Sequence, residues 1–331
     1  LRSLVVRLVL PAASRLVSNA NLRFAGRCAR LSMENHQEST FMTTHFNPAS
    51  CPSPSALRVA ASRALHQLLD TQRVFDDPFA IGILGAATAA QLMLDPDAHN
   101  DVTARSMRAG MVARSRFAED RVLRAIAAGV QQYVIVGAGL DTWALRHAQT
   151  LPSVQVFELD QPAMQQWKQQ MLLANGWRLH PRLHWVPVDL REQAALQDPQ
   201  RLGWSRSSPS VISMLGVLVY LHQHEVAHSL QRLRALPAGS VLVLDYRLED
   251  QCLPPLERSM MQFTGQMMAA GGEPWLSAHT PDGMRQLLAE AGFTVEEDLG
   301  PQELNTCYFA RRRDGLQIAG GGFRYLSAIK H

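Results

Sequence analysis

The sequence predicts an α/β protein whose core is a doubly wound, mostly parallel sheet of seven strands. Short apolar, β-branched runs alternate with helical patterns from residue 132 onward, and this alternation is typical of parallel strands joined by right-handed crossovers. Two helical patterns come before the first strand. With 331 residues, 47% of them hydrophobic, the chain is long enough to bury the core of such a sheet.

The expected strands are short runs bounded by turn residues, at 132–136, 154–159, 183–188, 210–215, 240–246, 293–297 and 306–311. Helical spacing predicts helices between them, near residues 142–147, 162–174, 223–235 and 281–291. Helices over 56–69 and 107–128 precede the sheet and are expected to form an N-terminal lid. A methionine-rich stretch after the fifth strand is expected to be an inserted helix that packs through Met260, Met261, Met267 and Met268.

The first 41 residues differ in charge from the rest of the chain. They hold six arginines and two glutamates, a local charge of +4 within a total of +3, so the remainder carries a charge of −1. A transit peptide, a weak secretory signal or a reading frame that begins too far upstream would each give this pattern. The third is favoured because the chain opens on Leu1 whereas Met33 and Met42 follow. We therefore expect a leader over residues 1–55 and one domain over 56–331.

Composition excludes several classes of protein. The acidic remainder is unlike a basic nucleic-acid binder, and no run of about 18 consecutive apolar residues is present to span a membrane. The four cysteines lie far apart and form no Cys-x-x-Cys pair, which argues against a disulfide framework or a thiolate metal site. His222, His224 and His228 could place imidazoles on one helix face, but no carboxylate or cysteine ligand is evident nearby. The sequence therefore predicts a cytoplasmic protein without a metal, whose partner is a small molecule and neither nucleic acid nor a membrane.

A Gly-x-Gly turn follows the first expected strand and is the main functional signal. Gly137 and Gly139 have no Cβ, so a ligand can approach the backbone closely there. Dinucleotide-binding turns have the pattern Gly-x-Gly-x-x-Gly, whereas Thr142 stands at the position of the third glycine. The turn therefore favours another nucleoside ligand, S-adenosylmethionine, over NAD; a plain strand-to-helix turn is the alternative.

Acidic residues end the second and third expected strands. Glu158 and Asp160 lie about twenty residues after the glycine turn, where a carboxylate can accept hydrogen bonds from both ribose hydroxyls. They are two residues apart and so point the same way, and Asp160 is preferred because it is nearer the loop. Asp189 followed by Leu190 suits an adenine ring, with the carboxylate on the exocyclic amine and Leu190 against one face. Capping of the next helix by Asp189 is an equal alternative.

Seven short segments between residues 56 and 329 form an ordered set of motifs. They are Phe75-Asp76-Asp77-Pro78-Phe79-Ala80, Ala113-Arg114-Ser115-Arg116-Phe117, Val136-Gly137-Ala138-Gly139-Leu140-Asp141-Thr142, Phe157-Glu158-Leu159-Asp160-Gln161-Pro162, Val188-Asp189-Leu190-Arg191, Gly216-Val217-Leu218-Val219-Tyr220-Leu221 and Gly272-Glu273-Pro274-Trp275. Together they resemble the leucine carboxyl methyltransferase-like branch of the class I S-adenosylmethionine-dependent methyltransferases, which includes bacterial O-methyltransferases. The resemblance implies a Rossmann-like fold with an N-terminal helical lid and an insertion after the fifth strand. It also implies S-adenosyl-L-methionine as cofactor and a small-molecule methyl acceptor.

The resemblance implies a role toward the cofactor for each matching residue. Gly137 and Gly139 would contact the methionine portion of the cofactor. Asp160 would bind the ribose hydroxyls, and Asp189 and Leu190 would contact the adenine. Arg114 would pair with the cofactor carboxylate, a charge-assisted contact that a guanidinium can make with two nitrogens; a solvated helix face is the alternative. Arg63 is a second candidate for that carboxylate, on a looser match.

The same resemblance implies an enzyme that aligns the acceptor with the methyl group and needs no catalytic triad. Tyr220 is expected to face the methyl, and Arg191 to grip an acceptor carboxylate unless it forms an ion pair at a helix start. Leu215 departs from the family pattern, which has a glutamate just before the Gly-Val-Leu-x-Tyr-Leu run. The absence of this glutamate weakens the expectation that the amino end of the cofactor is bound tightly, or that the protein is active.

We therefore expect an S-adenosylmethionine-dependent O-methyltransferase that acts on a carboxylate or hydroxyl of a small molecule. A cofactor-binding but catalytically degenerate member is one alternative, which Leu215 favours. An NAD-linked oxidoreductase is another, which Thr142 opposes.

Overall fold

The computed structural model describes residues 52–190 and 203–331. Within them one sheet is formed by β1 (Gln132–Val136), β2 (Gln155–Asp160), β3 (Leu183–Pro187), β4 (Val211–Met214), β5 (Val241–Arg247), β6 (Phe293–Leu299) and β7 (Phe323–Lys330). The strand order is β3-β2-β1-β4-β5-β7-β6. Neighbouring strands are parallel except at β7, which runs antiparallel to β5 and β6. The predicted doubly wound, mostly parallel sheet is confirmed.

The strand order reverses beside β1. The chain proceeds from β1 through β2 to β3 at one edge and then returns to place β4 on the other side of β1. Ligands of open α/β sheets bind outside the carboxyl ends of the strands at such a reversal. The fold therefore places the binding edge at the turns that follow β1, β2, β4 and β5.

Nine helices pack around the sheet in the described residues. They are α1 (Pro54–Leu69), α2 (Ala86–Leu94), α3 (Val102–Ala127), α4 (Trp143–Arg146), α5 (Pro162–Ala174), α6 (Gln223–Arg232), α7 (Pro255–Ala270), α8 (Pro281–Glu290) and α9 (Pro301–Tyr308). α1 and α3 form the N-terminal layer, and α7 is the insertion after the fifth strand. None of these helices is both long and apolar enough to cross a bilayer. The predicted domain boundary after residue 55 falls in the first turn of α1, and residues 1–51 lie outside the described part.

The predicted seventh strand, residues 306–311, is wrong. Three of these six residues belong to α9, and the seventh strand is β7. Pro301 lies in the first turn of α9, where a missing N–H costs nothing, and the side chain of Glu303 accepts a hydrogen bond from Gly300 N at 2.9 Å. These helix-start signals outweigh the short apolar run of residues 306–311.

The central strands of the sheet are buried on both faces. All five residues of β1 are buried, and alternate side chains face opposite layers. Val134 packs in a cluster with residues of α6 and α8, whereas Ile135 packs in a cluster with residues of α3. Burial on both faces explains why the parallel strands appear in the sequence as continuous apolar runs.

A buried polar cluster anchors the lid helix α1 to α3. His66 Nδ1 lies 2.7 Å from Asp70 Oδ2, and Arg108 Nε donates to the same oxygen at 2.9 Å. The other ring nitrogen of His66 accepts a hydrogen bond from Val74 N at 2.9 Å, so Nδ1 carries the proton that Asp70 accepts. The position of α1 over the sheet is therefore fixed by hydrogen bonds that have directional requirements.

A second buried cluster ties α4 to α3. Arg146 Nη1 donates to Glu119 Oε1 at 2.7 Å, and His147 Nε2 lies 3.3 Å from the same oxygen. Burial alone would raise the pKa of Glu119, but hydrogen bonds from His147 and Arg146, with their charges, lower it to about 2. These contacts fix the position of α4, and with it the glycine turn that precedes α4.

The substitution Glu119→Gln tests this tether through pH. The folded pKa of about 2 lies below the ordinary 4.5, so the carboxylate adds stability above pH 4.5 and loses it as the pH falls toward 2. We expect the variant to lose up to about 3 kcal/mol of unfolding free energy at neutral pH. The difference from wild type should shrink between pH 5 and pH 3.5 in urea unfolding followed by circular dichroism. Glu296→Gln, at an exposed position of β6, is the control; a pH-independent difference would contradict the assignment.

Candidate functional site

The glycine turn packs tightly against the chain that follows β4. Gly137 and Gly139 have φ angles of +67° and +48°, in the left-handed region that favours glycine. Gly137 N donates to Leu159 O at 2.8 Å, and a Cβ on Gly137 would lie 2.5 Å from Val217 Cγ2. The turn therefore brings the ends of β1, β2 and β4 together.

Asp160 lies directly at this turn. Its Oδ2 accepts a hydrogen bond from Gly139 N at 2.5 Å, and its Oδ1 accepts one from Gln161 N at 2.7 Å. Burial raises the pKa of Asp160, while the two backbone hydrogen bonds oppose the rise. The carboxylate is bonded only to backbone groups and is half-buried, so it can exchange these partners for those of a ligand.

Glu158, the other acid of β2, has a different environment. Its Oε2 accepts from Lys168 Nζ at 2.6 Å, and both side chains are buried. Burial raises the pKa of Glu158 to about 7, against the charge and hydrogen bond of Lys168. Glu158 therefore holds α5 on the sheet, and Asp160 is the acid that reaches the binding edge.

The residues after β3 lie beside Asp160. Val188 N donates to Asp160 O at 2.8 Å, which extends the pairing of β3 with β2. Asp189 and Leu190 follow and are half-buried, with Leu190 packed against the main core cluster. Arg191, predicted to grip an acceptor carboxylate, lies outside the described residues.

Arg114 reaches the same edge from α3. Its Nη1 donates to Asp245 Oδ2 at 3.0 Å, and Asp245 Oδ1 accepts from Gly216 N at 2.6 Å. The alternative of a solvated helix face does not apply, because Arg114 is 9% exposed. Asp245 was not predicted from the sequence, although an acid near the carboxyl end of an apolar strand was the signal that indicated Asp160.

The environment of Leu215 differs from what the family pattern suggests. Leu215 packs against an apolar cluster between the lid and the sheet. It follows Met214, which pairs with Leu244, so Asp245 stands next to it on the adjacent strand. A carboxylate is therefore present at this edge, supplied by β5 in place of β4.

Arg63 is already engaged by the protein. Its Nε donates to Asp77 Oδ2 at 2.9 Å, and its Nη2 donates to Leu140 O at 2.6 Å. Both side chains of the pair are buried. The guanidinium thus supports the glycine turn from the lid side, and its predicted contact with a cofactor carboxylate stays a prediction.

Tyr220 lies under the junction of the lid with the insertion. Glu273 accepts hydrogen bonds from Ser55 N at 2.9 Å and from Arg58 Nη2 at 3.2 Å, which ties the start of α1 to the segment after α7. Burial raises the pKa of Tyr220; hydrogen bonding to Ser55 and Trp275 opposes the rise, and the charge of Glu273 adds to it. The Tyr220 hydroxyl is therefore protonated, and it lies beside the contact between α1 and the segment after α7.

The segment after α7 forms a wall beside Tyr220. Leu276 N donates to Val219 O at 2.7 Å, and Ser277 Oγ donates to Leu218 O at 2.7 Å. Trp275 packs edge-on against Phe323, with ring centroids 5.5 Å apart. The wall is thus hydrogen-bonded to the turn after β4. The same turn contacts Gly137 through Val217.

Three histidines at the start of α6 have neighbouring rings, one pair near-parallel and the other edge-on. The rings of His222 and His224 lie 5.7 Å apart, and those of His224 and His228 lie 6.2 Å apart. No group of three or more His, Cys, Asp or Glu side chains in residues 52–190 and 203–331 is arranged to hold a metal ion.

The fold and the site define an α/β methyltransferase. The profile of the family described as leucine carboxyl methyltransferase matches residues 56–234. The "Putative S-adenosyl-L-methionine-dependent methyltransferase YktD" of Bacillus subtilis strain 168 is 30% identical over 299 residues, which cover 84% of this chain and 98% of that protein. A protein of Mycobacteroides abscessus with the same description is 32% identical over 253 residues, or 73% of this chain and 82% of its own. The chain belongs to the leucine carboxyl methyltransferase family, whose cofactor is S-adenosylmethionine.

Two solved structures share the fold. A DUF574 family protein from Streptomyces avermitilis is 16% identical, with a TM-score of 0.56 over 85% of this chain and 98% of that one. A structure from Thermobifida fusca, titled a putative methyltransferase, is 20% identical, with the same TM-score over 87% of this chain and 99% of that one.

The residues present fit S-adenosylmethionine. Two glycines at positive φ form the tight turn, and Asp160 offers acceptor oxygens beside it. Arg114 Nε is buried without a hydrogen-bond partner among the described residues, an unsatisfied donor that a bound carboxylate can relieve.

Gly137→Ala tests the tight turn. A Cβ at this position meets Val217 Cγ2 at 2.5 Å and must adopt a φ of +67°, so we expect a loss of about 2–4 kcal/mol of stability and of cofactor affinity. Gly176→Ala is the matched control, because its φ of +63° is similar but no atom lies within 4 Å of the added Cβ. Its cost should be about 1–2 kcal/mol, with affinity unchanged. Equal losses in urea unfolding would show that backbone strain, and not the contact, accounts for the effect.

Proposed function

We propose that the protein is an O-methyltransferase of a small molecule, and that the oxygen it methylates belongs to a carboxylate in preference to a hydroxyl. The observation that carries this proposal is the half-buried, protonated Tyr220 beside the start of α1, the helix that contacts the glycine turn.

Tyr220 is connected to the turn through the start of α1. Ser55 lies near the tyrosine hydroxyl, and the next residue, Ala56, lies against Gly139, with 3.5 Å between its Cβ and one built on the glycine. Two consecutive residues at the start of the lid helix therefore lie between Tyr220 and the glycine turn. This arrangement supports a role for Tyr220 at the acceptor.

A tyrosine with the ordinary pKa of 10.0 is protonated at neutral pH, and burial raises the pKa of Tyr220 further, so the phenol does not act as a base. A neutral phenol donates a hydrogen bond but does not take a proton from an acceptor. A carboxylate acceptor is already ionised and needs no base, whereas an alcohol or phenol needs one. The state of Tyr220 therefore favours a carboxylate.

The cofactor supplies a methyl group on a positively charged sulfur and departs as a neutral thioether. Gly137 and Gly139 would let its methionine portion lie against the backbone, and Arg114 would bind its carboxylate. Asp160 would give up its bond to Gly139 N and accept from the ribose hydroxyls. Asp189 and Leu190 would frame the adenine, and Arg191 would grip the acceptor.

The start of α4 disfavours NAD. Asp141 Oδ1 accepts a hydrogen bond from Trp143 N at 2.7 Å, so a carboxylate occupies the helix start that a pyrophosphate requires. α4 is also only four residues long.

Calorimetry with S-adenosylhomocysteine and NAD tests the cofactor, and methyl transfer from labelled S-adenosylmethionine to a panel of carboxylic acids and phenols tests the acceptor. Methyl esters release methanol in base and ethers do not, so the label distinguishes the two products. Binding of NAD alone would refute the proposal. Base-stable products would refute its carboxylate part.

Tyr220→Phe removes only the hydroxyl. We expect kcat/KM for the acceptor to fall about 10-fold or more, because a hydrogen bond to a charged oxygen is lost, while affinity for S-adenosylhomocysteine is unchanged. Tyr308→Phe is the control, since its hydroxyl donates to Asp120 at 3.0 Å on the far side of α3. A loss of cofactor affinity in Tyr220→Phe would place the tyrosine on the cofactor instead.

A further inference from the structure

A buried carboxylate at the carboxyl end of β5 connects three elements of the binding edge. Asp245 is 3% exposed, and its two oxygens accept from Arg114 Nη1 at 3.0 Å and from Gly216 N at 2.6 Å. It therefore joins α3 to the turn after β4. We call Arg114, Gly216 and Asp245 the arginine clamp.

The clamp fixes one side of the guanidinium and leaves the other side available. Nη1 is bonded to Asp245, Nε is buried without a partner, and Nη2 has no hydrogen-bond partner within 52–190 and 203–331. Gly216 has a φ of +65°, and a Cβ on it would lie 2.9 Å from Nη1. The guanidinium thus lies directly against the backbone, and Asp245 leaves its other donors, Nε and Nη2, unused.

The clamp borders the glycine turn. Val217, the residue after Gly216, is the side chain that contacts Gly137. An anionic group that lies over the turn would therefore meet the remaining donors of Arg114. An arginine alone at this position would attract any small anion. Because Arg114 and Asp245 together carry no net charge, the pair does not attract an anion by charge alone.

We propose that Asp245 is the positioning residue that makes this end of the site selective for a zwitterionic α-amino acid group. It holds Arg114 in place to bind the carboxylate, and its negative charge balances the site so that an adjacent ammonium is accepted. This inference rests on the proposed cofactor site. It assigns to β5 the acid that β4 lacks at Leu215.

Asp245→Asn keeps the shape and the acceptor for Gly216 N but removes the charge. S-adenosylhomocysteine carries both the carboxylate and the ammonium, and methylthioadenosine carries neither. In calorimetry we expect the Kd of S-adenosylhomocysteine to rise about 10-fold or more and that of methylthioadenosine to stay unchanged. Adding Leu215→Glu to this variant restores an acid beside the same position and should recover part of the lost affinity.

Glu297→Gln is the matched control, because it breaks another ion pair of α3, with Arg121 Nη2 at 2.7 Å. It should leave the ratio of the two affinities unchanged. If Asp245→Asn does not fold, Gly216→Ala tests the positioning of Arg114, since its Cβ displaces the guanidinium without changing a charge, and it should likewise weaken S-adenosylhomocysteine and not methylthioadenosine. Equal weakening of both ligands, or of neither, overturns the role of Asp245. A wild-type protein that binds neither ligand overturns the proposed cofactor site itself.

Discussion

The close packing of two glycine-containing turns is the constraint on which the site depends. Gly137 approaches Val217 so closely that a Cβ would overlap it, and Gly216 approaches Arg114 in the same way. Each glycine thus gives room to a side chain from another element, and the ends of β1 and β4 meet α3 without a gap. Small displacements of any of these elements would move the others, because packed interiors have little free volume.

Helix α3 carries the charged residues that fix this arrangement. Arg108 forms an ion pair with the lid cluster, Arg114 forms one with β5, and Glu119 forms one with α4. Each pair is largely buried, so removal of one partner leaves an uncompensated charge and costs about 3–5 kcal/mol. Apolar packing alone would tolerate a shift of the helix along its axis. Three ion pairs at different positions along α3 do not tolerate such a shift.

The sequence predicted most of the sheet and part of the site, for identifiable physical reasons. The parallel strands are buried on both faces, so their apolar runs are continuous and their positions are clear. The antiparallel β7 was missed because residues 306–311 offer a similar short run, whereas Pro301 and Glu303 start a helix. Asp160 was found from its position after a strand. Asp245 and Glu273 were not, because their partners lie 131 and 218 residues away and only the fold brings them together.

The acids on β2 and β5 differ in how much bonding capacity they keep. Glu158 is paired with a buried lysine, and Asp245 is bonded to an arginine and a backbone amide. Asp160 is bonded only to backbone N–H groups. Because an ion pair is costly to break and a backbone hydrogen bond is exchanged for about 1 kcal/mol, Asp160 can change partners when a ligand enters while the other two stay in place. Two fixed acids and one exchangeable acid, carried by β2 and β5, give a site that is rigid in shape and still able to bind.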